Sequence, residues 1–153
     1  MENKAYDSTA DTLLHIKRVS ELLSVGAAEL LRRGIQHDDS KLKDPEKPLF
    51  DKMTPILKTL TYGSPEYHES LKELQVALDH HYANNSHHPQ YYPNGINGMN
   101  LFDLIEMFFD WKAASERTAN GDFEKSIDIN TERFKMSPQL SEIFHNTRKY
   151  MKA

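Results

Sequence analysis

The chain has 153 residues, the size of one ordinary domain, and at that length it can bury a core without disulfides or a structural metal. It contains no cysteine, which excludes thiolate zinc sites, cysteine nucleophiles and disulfides, and fits a reducing, cytoplasmic compartment. The formal charge of -4 is spread without a basic block, so duplex nucleic acid is a poor partner and a small ligand a better one.

The opening residues, Met1 to Asp7, lack the basic and apolar regions of a secretion signal, and no apolar run is long enough to cross a bilayer, so no membrane partner is expected. Leu13, Ile16, Leu23, Ala27 and Leu30 share one stripe and predict a long helix over 9–33, closed by Gly34. A loop rich in Asp, Lys and Pro follows over 34–48, then a short amphipathic helix over 49–61, closed by Tyr62-Gly63. Ser64-Pro65-Glu66 reads as an N-cap with proline at the first helical position, opening a helix that runs to about Tyr82. Asn-rich turns, two prolines and two glycines make 83–100 a long irregular loop, and loops of that length in compact domains are usually functional or mobile. Helix resumes over 101–118, stops at Asn120-Gly121, restarts over 123–134, and a last helix runs from Pro138 to Lys152. No segment alternates with period two, so the predicted class is all-α, with one domain over 1–153.

Four of the eight histidines fall within nine positions, at His80, His81, His87 and His88. The stripe of Leu71, Leu74 and Leu78 continues to His81, which places an imidazole on an apolar face. His15 shares a face with Val19 and Leu22 and is expected to point inward, although a lone histidine so placed is more often a satisfied core residue than a ligand. The 101–118 helix is apolar nearly all round, yet Asp103, Glu106 and Asp110 share one of its faces. Asp103 fits a narrow solvated strip as well as a buried one. Asp110, beside Trp111, is expected to be buried, and a buried carboxylate needs a cation or several hydrogen bonds. Clustered imidazoles around a divalent metal would supply that cation. Adjacent His37 and Asp38 can chelate metal together, being ligands suited to Fe, Mn, Ni or Zn, although the dipeptide alone also suits a polar turn.

The order His15, His37-Asp38, histidine cluster, Asp110 resembles the HD-domain metal-dependent phosphohydrolase superfamily. His37-Asp38-Asp39-Ser40-Lys41 looks like its His-Asp-x-Gly-Lys segment, with Ser40 in the glycine's place. The stretch from His80-His81 to Tyr92-Pro93-Asn94-Gly95-Ile96-Asn97-Gly98 is similar to the His-His to Gly-Tyr-Pro-x-Gly-Leu-x-Gly region of the HD-GYP branch, with a few inserted residues and the extra pair His87-His88. A closer resemblance is to a family of short uncharacterised phage and bacterial proteins carrying His-Asp-x-Ser-Lys, His-His-x-x-Asn-x-His-His-Pro and Glu-Met-x-x-Asp-Trp. Here these motifs stand at 37–41, 80–89 and 106–111.

The resemblance implies an HD-like bundle of about five to seven helices around a central site for one or two divalent ions. His37, Asp38 and Asp110 are then ligands, with His81 and His88 as further ones and His15 as an additional candidate. Lys41 resembles the family's phosphate-contacting lysine, against the plain alternative of an exposed loop lysine. Asn84, Tyr91 and Tyr92 are placed to contact ligand or orient histidines, while His68 and His145 belong to polar faces. The expected reaction is hydrolysis of a nucleotide or other small phosphoester by metal-activated water, with Asp38 and Lys41 central and Asp39 or Glu106 assisting proton transfer. The alternatives are a di-iron oxygenase of the same superfamily, a non-catalytic nucleotide-binding phage module, and a helical protein whose histidines merely pack. A homo-oligomer is left open.

Overall fold

A computed structural model describes residues 6–60, 64–117 and 121–151, and over these the chain has seven α-helices, four short 3-10 turns and no strand, as the all-α reading requires. It divides into two compact units, Met1–Gln36 and His37–Ala153. The first consists of one helix, α1 (Thr9–Gln36). The Asp7 carboxylate accepts from the backbone amide of Thr9 at 3.0 Å, supplying a partner for a donor that the first turn leaves open. The predicted stop at Gly34 is corrected. A glycine ends a helix by taking a left-handed conformation, Gly34 keeps the helical one, and α1 runs on to Gln36. No residue of α1 is buried within this unit, His15, Val19 and Leu22 included, because a single helix has no core of its own. The expectation that His15 points into a core is therefore not met there.

The second unit holds α2 (Glu46–Thr59), α3 (Pro65–Glu73), α4 (Gln75–Asn84), α5 (Leu101–Ser115), α6 (Phe123–Phe134) and α7 (Pro138–Arg148). Helix α2 starts at Glu46 rather than at 49, and Pro48 falls in its first turn, where a missing N–H leaves no bond unmade. Ser64 caps α3 as predicted, its hydroxyl accepting from the Tyr67 amide at 3.1 Å. The single helix expected over 65–82 is two, parted at Leu74 with neither glycine nor proline at the break. The 83–100 loop contains 3-10 turns at Pro89–Tyr91 and Gly95–Gly98, and α5 ends at Ser115. The last predicted helix closes in a 3-10 turn, Lys149–Met151. The expectations placed on Met1 to Ala5, Thr61 to Gly63, Thr118 to Asn120 and Lys152 lie outside the described residues.

Two apolar clusters hold the second unit together. Met53 of α2 packs with Leu74 and with Ala77 of α4. Met107, Phe108 and Trp111 of α5 pack with Ile127 of α6, Met136 and Phe144 of α7. Trp111 stacks on Phe134 at 6.0 Å and Phe108 meets Phe144 edge-on at 5.2 Å, geometries that aromatic pairs favour beyond their area burial. The polar site is built on α4 and α5, the helices that carry these clusters. Among the described residues no helix is long and apolar enough to cross a membrane.

Candidate metal centre

His37 and Asp38 open the second unit, ahead of the 3-10 turn Asp39–Leu42. Asp38 has φ 59°, a left-handed conformation that aspartate tolerates better than most residues and that recurs at functional sites. The turn closes as the Lys41 amide donates to the Asp38 carbonyl at 2.8 Å, and it brings the Lys41 ammonium to Asp38 Oδ2 at 2.5 Å. Ser40 faces inward, with its hydroxyl 2.8 Å from Asn85 Nδ2 and 3.2 Å from His81 Nδ1.

Around Asp38 the imidazoles converge through their Nε2 atoms. His81 Nε2 lies 3.3 Å and His87 Nε2 3.5 Å from Asp38 Oδ1, while His37 Nε2 lies 3.6 Å from Asp38 Oδ2 and 3.7 Å from Asp110 Oδ1. His88 completes the set, its Nε2 standing 2.9 Å from that of His81. Two groups of potential ligands follow, Asp38 with His81, His87 and His88, and His37 with His87 and Asp110, each with its donor atoms within 4.8 Å of one another. On the far side of the rings, His81 Nδ1 meets Glu46 Oε2 at 3.0 Å, and His37 Nδ1 and His87 Nδ1 meet Glu106 Oε1 at 2.9 and 3.1 Å.

Two buried atoms of this cluster have no hydrogen-bond partner, Asp38 Oδ1 and His87 Nε2. An unmet buried polar group costs about 1–3 kcal/mol, and both atoms aim into the same space. The donor set fits a divalent transition ion, since imidazole and carboxylate suit Fe, Mn, Ni or Zn.

The protonation states agree with this in part. Burial works to raise the Asp38 carboxyl, but His81, Lys41 and His37 outweigh it and hold the group well below the usual carboxylate range. Asp110 is lowered likewise, burial being overcome by His37 and the neighbouring His87. Burial pushes His88 down to about 3, with His87 and His81 acting in the same direction, so it is a neutral imidazole. His37 goes the other way. Asp110 and Glu106 push it up to about 10, so a metal must displace its proton.

The structure brings together five of the six predicted ligands, His37, Asp38, His81, His88 and Asp110. His15 stands on α1, and neither group includes it. Lys41 sits beside the centre on Asp38. Asp39 is exposed at the start of its turn and joins neither group, and Glu106 holds two imidazoles from behind. His80, the less favoured of its pair, is half-buried and bonds Glu46 Oε1 at 2.7 Å. Asn84 bonds the His80 carbonyl on its own helix, and Tyr91 is exposed. Asp103 is fully buried, which settles its ambiguity: Ser86 Oγ, Tyr92 Oη and the Asn100 amide all donate to it, and Asn100 and Asp103 form the reciprocal cap of α5. These bonds tie down the loop that carries His87 and His88.

Sequence reasoning missed His87 and Glu46. His87 is 2 % exposed and belongs to both ligand groups, whereas only His88 was expected to ligate. Its signal was the paired histidine motif, but a loop has no periodicity to tell one partner from the other. Glu46 was hidden in a segment read as loop, although a glutamate near a proline is a common helix-start signal.

No curated protein and no solved structure matches the chain. The model of one family matches residues 4–150, and on that match the chain belongs to the family of unknown function DUF5662.

Proposed function

We propose that this protein is a metal-dependent phosphohydrolase acting on a nucleotide or other small phosphoester. The observation that carries the reading is the pair of orphaned buried atoms, Asp38 Oδ1 and His87 Nε2, within a shell of four imidazoles and two carboxylates. Such atoms are kept in an interior when a cation satisfies them. A divalent ion held there supplies Lewis acidity and lowers the pKa of bound water towards neutrality. His37, Asp38, His81, His87, His88 and Asp110 would hold one or two ions, with Asp38 placing an oxygen towards each ligand group. Lys41 is the one ammonium bonded to the centre among the described residues, and in this reading it would meet the negative charge of a phosphoryl oxygen.

Phosphate release from a panel of phosphomonoesters, phosphodiesters and nucleotides tests the reading, using untagged protein loaded in turn with Fe, Mn, Ni and Zn. Release that disappears in Asp38→Asn supports it. Metal binding with no release from any substrate contradicts it, and oxygen uptake by the iron-loaded protein would then assign the centre to oxygenase chemistry.

A further inference from the structure

Glu46 and Glu106 are buried or nearly so, stand outside both ligand groups, and touch the metal-facing histidines only through Nδ1. A carboxylate only accepts hydrogen bonds, so the ring nitrogen that faces it must carry the proton, and the other nitrogen of a neutral imidazole is left as a lone pair. We propose that Glu46 and Glu106 are positioning residues that hold His81, His37 and His87 through Nδ1 and fix the tautomers of His81 and His87, so that all three rings turn Nε2 towards a metal. This rests on reading the cluster as a metal centre and reassigns Glu106 from proton transfer to orientation.

The surroundings of each ring agree. Two ring donors converge on Glu46, His80 Nδ1 on Oε1 at 2.7 Å and His81 Nδ1 on Oε2 at 3.0 Å. Asn85 Nδ2 also lies 3.1 Å from His81 Nδ1, but its two hydrogens are accounted for by Ser40 Oγ at 2.8 Å and the His81 carbonyl at 2.7 Å. The Ser40 hydroxyl stands further from His81 Nδ1, at 3.2 Å, than Glu46 Oε2 does at 3.0 Å, so the carboxylate makes the shorter contact with that nitrogen. At His87 the reverse tautomer would set a lone pair against Glu106 Oε1 at 3.1 Å and offer its Nε2–H to Asp38 Oδ1 only at 3.5 Å, so the assigned tautomer makes the shorter bond.

His88 differs from these rings. With the His81 proton on Nδ1, the 2.9 Å contact between the two Nε2 atoms needs its hydrogen from His88. In the metal-free protein His88 is therefore the Nε2–H tautomer, opposite to His81 and His87. To ligate, it must lose that hydrogen to solvent and take one up at Nδ1. His88 is thus the ligand whose entry requires a tautomer change.

Long-range 15N–1H correlation NMR of the histidine rings, first metal-free and then with zinc alone, reads these states directly. Expected in the metal-free wild type are Nδ1–H at His81 and His87 and Nε2–H at His88, with zinc converting His88 to Nδ1–H. Glu46→Leu should release the preference at His81 alone and Glu106→Leu that at His87 alone, each weakening zinc binding by about 10- to 100-fold. Glu106→Gln, which keeps an acceptor oxygen, should restore the His87 tautomer. General destabilisation would not produce that reciprocal pattern. Finding Nε2–H at His81 or His87 in the wild type overturns the proposal even if neither leucine variant folds. Correct tautomers with no phosphate release would instead sink only the hydrolase reading.

Discussion

At Asp38 the backbone sits at φ 59°, ψ 16°, and the side chain faces three imidazoles and a lysine. The left-handed conformation costs most residues about 1–2 kcal/mol, but asparagine, like aspartate, offsets part of this with local hydrogen bonding. Asp38→Asn should therefore fold and lose its metal, whereas Asp38→Ala should lose the metal and be less stable than Asp38→Asn by about 1 kcal/mol in metal-free urea unfolding. Equal midpoints would mean that the conformation places no demand on the residue. His37, Asp38 and Asp110 were legible because motif order and the cost of burying a carboxylate pointed the same way. His81 was legible because it ends a leucine stripe. His87 and Glu46 were not, since their place depends on a loop and a helix start that only tertiary packing defines.

At the level of elements, α5 is both a wall of the core and the anchor of the histidine loop. Burial, and after it the Asp103 carboxylate, push the Tyr92 phenol up to about 12. Asp103→Asn removes the charge and keeps the burial, so Tyr92 should titrate between its ordinary value and 12 when its ring shifts are followed by NMR; an unchanged value would refute the Asp103 contribution. Asp103→Ala leaves Ser86, Tyr92 and the Asn100 amide without their acceptor and should cost about 3 kcal/mol in urea unfolding. Gly98 belongs to the same anchor. A Cβ there would meet Tyr92 Cβ at 2.7 Å and Tyr92 Cδ1 at 2.9 Å, so Gly98→Ala should displace Tyr92 and weaken metal binding, whereas a wild-type zinc affinity would show that the loop absorbs the change. The helices themselves were read well from periodicity and caps. Their ends were not: Gly34 lies inside α1, and the stripe of leucines runs across the Leu74 break without a sign of it.

For the whole molecule, the linkage of His37 sets an alkaline limit on the metal-free fold. Its folded pKa of about 10 lies above the ordinary 6.5, so the folded state binds more protons between these values. That stability is fully present below pH 6.5 and drains away as pH rises towards 10, which urea midpoints across the range should show as a steady fall. A flat profile would contradict the His37 ion pairs with Asp110 and Glu106. Metal binding would displace the same proton and tie His37, α4, the histidine loop and α5 together through the bound ion or ions, so loading should raise the melting temperature and a chelator should reverse it. The all-α class was legible from the absence of period-two alternation, while the division into Met1–Gln36 and His37–Ala153 was not, because an apolar stripe on α1 marks a helix and not the end of a compact unit. Elemental analysis of the protein purified without a histidine tag tests the metal centre most directly. At least one transition-metal ion per chain, absent from Asp38→Asn, is the predicted result; a folded wild type that carries no metal and takes up none from added Fe, Mn, Ni or Zn would contradict it.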